Sequence, residues 1–122
     1  MSDRITTVAQ LRAMVRRFVD DRDWQQFHAP KNLSMALSIE AAELMEHFQW
    51  LTVEESRTLR HDADRLHAVT DELADVVCYA LALANELDID LTEAMRDKMR
   101  KNEEKYPVES YRGRYEAELE GG

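Results

Sequence analysis

A chain of 122 residues with three glycines and two prolines has little material for tight turns. Such a chain spends its length in long helices rather than in many short strands. Leu, Ala, Glu, Arg and Met dominate what remains, and each is a good helix former. The length supports one hydrophobic core and not two. The expected fold is therefore all-α, with four main helices in an antiparallel bundle.

Apolar spacing places those helices. Thr7 followed by Gln10 reads as a capping box, and Val8, Leu11, Met14, Val15, Phe18 and Val19 follow helical periodicity to about residue 21. The stretch from Asp21 to Pro30 breaks the period and is aromatic for a connector, carrying Trp24, Phe27 and His28. A second helix is expected from Lys31 or Asn32 to Leu51, with Leu33, Leu37, Leu44, Phe48 and Leu51 on one broad face. Thr52 with Glu55 suggests a short charged helix over residues 53 to 62. A third long helix, from about Leu66 to Leu87, is apolar nearly all round. Such a helix is central or is covered by a second subunit. Asp90 with Glu93 starts a fourth helix that Pro107 stops after Tyr106. Residues 1 to 107 read as the domain, and residues 108 to 122 as a polar tail.

Two acidic pairs stand out within this pattern, Glu40-x-x-Glu43 and Glu72-x-x-Asp75. Residues three apart are neighbours on a helix face, and at about 100° per residue Glu40 and Glu43 lie at the margin of the apolar face. Four carboxylates turned toward a helical core repel one another and lose hydration, which is costly unless a cation compensates. Oxygen-only donors suit a hard ion such as Mg2+. A di-iron centre would call for Glu-x-x-His on two helices, and neither Glu40 nor Glu72 has a histidine three residues on. Asp64-x-x-His67 has that spacing but lies away from the acidic stripe.

Lys98, Asn102 and Lys105 share one face of the fourth helix and offer cationic and amide donors for phosphate. Trp24, Phe27, His28, Trp50 and Tyr79 offer flat rings for a base, though Phe27 equally well seals the end of a bundle. The formal net charge of −9 argues against nucleic acid as a partner. No stretch is long and apolar enough to span a membrane. The lone Cys78 and the lack of a charged-then-apolar leader suit a cytoplasmic protein.

Taken in order, Asp23-Trp24-Gln25-Gln26-Phe27-His28, Lys31-Asn32-Leu33, Glu40-Ala41-Ala42-Glu43-Leu44, Phe48-Gln49-Trp50, Glu72-Leu73-Ala74-Asp75-Val76 and Lys98-x-x-x-Asn102-x-x-Lys105-Tyr106-Pro107 resemble the MazG-like nucleotide pyrophosphohydrolases. The similarity covers about residues 8 to 107 and is greatest to the branch containing dCTP pyrophosphatase. No single acidic pair is specific; the ordered set is. The resemblance implies cleavage between the α- and β-phosphates of a (deoxy)nucleoside triphosphate, with Glu40, Glu43, Glu72 and Asp75 as Mg2+ ligands. It implies base and phosphate contacts at Trp24, Trp50, Tyr79, Lys98 and Asn102, and assembly as a homo-oligomer, a dimer or a dimer of dimers. His28 is added to the substrate-binding set on its place in the aromatic connector. One departure is Val15, which stands where animal members carry a histidine, so base preference stays open.

The mechanism expected on this reading is metal-assisted hydrolysis. One carboxylate not fully committed to the ion, Glu43 by preference, orients or deprotonates the attacking water. Two other readings stay open at this point: a non-enzymatic helical oligomerisation or adaptor module, and a phosphoribosyl-ATP pyrophosphatase-like enzyme. The aromatic segment of residues 24 to 28 favours a free nucleotide over the second of these.

Overall fold

A computed structural model of the protein describes residues 1–114, and all of its regular structure there is helical. The helices are α1 (Val8–Asp21), α2 (Pro30–Glu46), α3 (Val53–Thr58), α4 (Ala63–Leu87), α5 (Leu91–Lys105) and α6 (Val108–Tyr111). Single 3₁₀ turns at Gln25–Phe27 and Leu59–His61 precede α2 and α4. The chain forms two compact units, one of residues 1–89 and one beginning at Asp90.

In the first unit each helix start has a local cause. Thr7 Oγ1 accepts the Gln10 N–H at 3.1 Å while Gln10 Oε1 accepts the Thr7 N–H at 2.7 Å, the reciprocal bonds of a capping box. Thr52 and Glu55 repeat the arrangement at α3. Helix α2 opens on Pro30, whose fixed φ and missing N–H suit a first helical position. That start lies a residue or two before the one read from the sequence. Helix α2 also ends at Glu46, short of the expected Leu51. Its final N–H groups turn to nearer carbonyls, His47 to Leu44 and Phe48 to Met45, and residues 47–50 form turns. Helix α4 starts at Ala63 rather than Leu66, because Asp62 accepts the Arg65 N–H at 3.2 Å and caps it.

Helix α4 is the axis of this unit. It packs against α2 chiefly and against α1 less extensively. Among the described residues the buried apolar side chains are Val19, Leu33, Leu59, Leu81, Ala82 and Ala84. That core is thin for a chain of which 44% is hydrophobic. On α4, Leu66, Leu73, Val77 and Leu87 are exposed, as are Met35, Ile39 and Met45 on α2. The apolar-all-round helix read from the sequence is therefore covered on one side only.

Helices α1 and α4 are also tied by side chains. Arg12 Nε donates to Asn85 Oδ1 at 3.0 Å, and Arg12 guanidinium nitrogens donate to the Ala84 and Ile89 carbonyls. Asn85 Nδ2 returns a bond to the Arg12 carbonyl at 3.1 Å. The Ala84 carbonyl also accepts the N–H groups of Asp88 and Ile89, so Arg12 adds a side-chain bond to the turn that closes α4. Asp88 closes that helix in the left-handed region, at φ 52°, which a short polar side chain tolerates.

In the second unit, Asp90 Oδ1 accepts the Glu93 N–H at 2.9 Å and starts α5, which ends before Pro107 as the spacing predicts. The segment read as a polar tail opens with the single turn α6, where Tyr106 and Tyr111 meet edge to face at 5.0 Å. The rest of that tail, residues 115–122, lies outside the described residues. No helix among the described residues is long and apolar enough to cross a membrane.

Candidate active site

The two acidic pairs sit on the two helices that pack most closely, α2 and α4. Carboxylate oxygens of Glu40, Glu43 and Glu72 all lie within 4.8 Å of one another. Asp75, one turn beyond Glu72, is near enough for its charge to act on Glu40. The i, i+3 spacing on each helix makes this possible, and the packing of α2 on α4 brings the pairs together.

The electrostatics of this cluster are unfavourable for bare carboxylates. Glu40 Oε2 and Glu72 Oε2 are both buried and neither has a hydrogen-bond donor. An ionised carboxylate only accepts, so two facing carboxylates satisfy each other only if a proton sits between them. The Glu40 carboxyl is accordingly pushed up to about 7, first by its contact with Glu72 and then by burial. The contact with Glu43 and the charges of Glu43 and Asp75 push the same way. A divalent cation relieves all of these at once. The donor set is oxygen-only, which fits Mg2+ and fits a thiophilic ion poorly.

The other expected residues are distributed around the fold. Tyr79 is half-buried on α4, four residues beyond Asp75 on the same stripe. His28 is half-buried and lines a small open cleft of about 40 Å³ between α1 and α4 with Val15, Arg16, Val19, Asp20, Gln25, Ala82, Asn85 and Glu86. Ala82 and Glu86 continue the spacing of Glu72, Asp75 and Tyr79, so this cleft lies further along the acidic stripe. Trp24 donates its backbone N–H to the Val19 carbonyl at 3.1 Å and meets Phe18 edge to face at 5.7 Å. Trp50 does not join the His28 cleft. It is 87% exposed and lines a separate cleft of about 250 Å³ with Glu46, His47, Leu51, Leu59 and Arg65. Lys98, exposed, and Asn102, half-buried, lie on α5 in the second unit, where Asn102 also accepts the Tyr106 N–H through its carbonyl.

Asn85, Gln25 and Asp20 were not singled out from the sequence. Asn85 carried a signal, as a lone amide within the apolar run Ala82-Leu83-Ala84 to Leu87. Gln25 stands inside the run Asp23 to His28 that carries the resemblance, without a role of its own, and Asp20 carried no signal, since a polar residue at a helix end is ordinary.

Comparison with known proteins converges on one group. A family model described as the MazG-like family matches residues 35–117. Over 107 residues the chain is 39% identical to dCTP pyrophosphatase 1 of Mus musculus, covering 88% of this chain and 63% of that one. The human dCTP pyrophosphatase 1 is 39% identical over 102 residues, covering 84% and 60%. The chain thus spans under two thirds of the length of these curated relatives. A crystal structure of a pyrophosphatase from Archaeoglobus fulgidus superposes with a TM-score of 0.74 at 39% identity, covering 88% of this chain and 98% of that one.

Proposed function

Because the chain belongs to the MazG-like family, we propose that it is a Mg2+-dependent nucleoside triphosphate pyrophosphohydrolase acting on dCTP or a related deoxynucleotide. The observation that carries this reading is the pair of buried, donorless carboxylate oxygens of Glu40 and Glu72, converging with Glu43. Carboxylates so placed destabilise the protein unless they share a proton or hold a cation, so a role in cation capture accounts for their position at neutral pH.

Glu40, Glu43, Glu72 and Asp75 would hold the ion. The chemistry that bound Mg2+ supplies is neutralisation of charge on the triphosphate oxygens and the departing pyrophosphate. Glu43 orients a water toward the α-phosphorus and takes up its proton. The new bond joins water oxygen to the α-phosphorus. The bond that breaks joins that phosphorus to the α–β bridging oxygen, whose electron pair leaves with pyrophosphate. His28 meets the nucleoside end at the mouth of the small cleft further along the stripe, and Trp24 and Tyr79 are assigned to base contacts outside it. The phosphate role of Lys98 and Asn102 is assigned on the family pattern alone.

Trp50 and the exposed apolar side chains of α2 and α4 are assigned to contacts between copies in a dimer or dimer of dimers. The catalytic domain is assigned to residues 1 to 107, with residues 108 to 122 an appendage. The lone Cys78 suits a cytoplasmic setting.

The direct test incubates the protein with each of the four deoxynucleoside triphosphates, with and without Mg2+, and identifies the phosphate released. Pyrophosphate and a monophosphate, formed only with metal and lost in Glu72→Ala with helical circular dichroism retained, are the expected result. Orthophosphate, or turnover undiminished in Glu72→Ala, would sink the assignment.

A further inference from the structure

We infer that Arg12 and Asn85 form a positioning pair that holds the wall of the nucleoside cleft, and so set substrate affinity without touching the reacting phosphates. The inference rests on the pyrophosphohydrolase reading for its substrate and on the bonding at this pair for its mechanism. Asn85 lines the cleft together with His28 and Gln25, so a shift of Asn85 changes the cleft directly. The Asn85 side chain bonds Arg12 at both ends. Its Oδ1 accepts from Arg12 Nε at 3.0 Å and its Nδ2 donates to the Arg12 carbonyl at 3.1 Å. An amide held at both ends keeps one rotamer and one orientation.

Arg12 is held as firmly from its own side. Its guanidinium also donates to the carbonyls of Ala84 and Ile89, so one planar group joins the middle of α1 to the last turn of α4 and to the second residue beyond it. Arg16, one turn along α1, adds a bond to the Asn85 carbonyl at 3.4 Å and also lines the cleft. A lysine at position 12 would keep the charge and lose the fork that reaches three acceptors.

The location gives this tie its consequence. Helix α1 leads into the connector that carries Trp24, Gln25 and His28, whereas α4 carries Glu72 and Asp75. Asp75 to Ala82 is seven residues, about 10 Å along a helix axis. The cleft and the acidic cluster are therefore two stations on one helix. The register of α1 on α4 decides where the nucleoside-facing groups stand relative to the carboxylates. The tie acts at the cleft end, so its loss should appear in binding and spare the chemistry.

The experiment compares wild type with Asn85→Ala, Arg12→Lys and the double variant. It measures pyrophosphate release from the four deoxynucleoside triphosphates with Mg2+, and calorimetric binding of the corresponding monophosphates without it. Each single variant should raise KM, and weaken monophosphate binding, by about five- to tenfold, with kcat within about twofold. The double variant should be no worse than the poorer single, since the two side chains act as one unit. Thr7→Ala serves as the control, because it loosens α1 through its own capping box, away from the cleft. Its Tm should fall while its KM stays at the wild-type value.

Unchanged KM and binding in Asn85→Ala, or an equal rise of KM in Thr7→Ala, would overturn the inference. So would wild-type protein that binds no monophosphate. Wild-type protein that releases no pyrophosphate but binds a monophosphate more tightly than Asn85→Ala would leave this pair standing and remove the assigned chemistry.

Discussion

At the scale of single residues, Glu40 is the most informative side chain. Its carboxyl is raised to about 7 against an unfolded value of 4.5, with the Glu72 contact the largest cause. Between those values the native state binds more protons than the unfolded chain, so stability falls as pH rises. The stabilising contribution is complete below about pH 4.5 and gone above about pH 7. In EDTA, thermal unfolding followed across this window should therefore show Tm declining toward neutral pH. Mg2+ should restore Tm at pH 7 to 8, where cation replaces proton, and do little at pH 4.5. Glu40→Gln should remove the decline in EDTA, raise Tm at pH 7.5 by a few degrees and abolish turnover. A pH-independent Tm in EDTA would contradict the electrostatic account of the cluster. This cluster was legible in the sequence because i, i+3 spacing is a local property. The partner of Asn85 was not legible: Arg12 lies 73 residues away, and nothing local to either residue announces the other.

At the scale of elements, the sequence announced starts better than ends. Thr7, Thr52 and Asp90 each cap a helix through a bond to the residue three positions on, and all three were readable. Asp62 caps α4 in the same way, but Ala63, Asp64 and Arg65 show no apolar period, so the first turn of α4 was missed. The end of α2 was overrun because Phe48 and Leu51 continue the apolar spacing after the backbone has already turned. Periodicity records which side chains seek cover, not where the hydrogen-bond ladder stops. The cap at Asp62 carries its own expectation. Asp62→Ala should cost about 1 kcal/mol of stability in denaturant unfolding and leave nucleotide affinity alone, since the cap lies at the end of α4 remote from the nucleoside cleft. A loss of affinity in that variant would show that the start of α4, and not only its last turn, governs the cleft.

At the scale of the whole molecule, the problem is how a chain that leaves so many of its large apolar side chains exposed remains folded on so thin a core. Leu66, Leu73 and Val77 recur at spacings of seven and four, a single stripe of α4 distinct from that of Glu72, Asp75 and Tyr79. All three are exposed, and Ile39 and Met45 of α2 are exposed as well. Apolar area left in water contributes nothing to stability, whereas a second copy would bury it at roughly 25 cal/mol for each Å² covered. The stability of the chain should then depend on its own concentration. Tm should rise across a hundredfold increase in protein, and light scattering should report a dimer or larger. Leu73→Glu should shift that distribution to monomer and lower Tm, because a charge on the stripe must be desolvated to pair with a second copy. Leu73 neighbours Glu72 in sequence but lies on the other stripe, so monomeric Leu73→Glu should still bind divalent cation at the carboxylates in calorimetry. Its turnover then becomes the decisive quantity. If Trp50, remote from the His28 cleft within its own chain, acts on the site of another copy, the monomer should bind metal and fail to hydrolyse nucleotide. A monomer with full activity would confine the whole site to one chain and leave the apolar stripe a matter of stability alone.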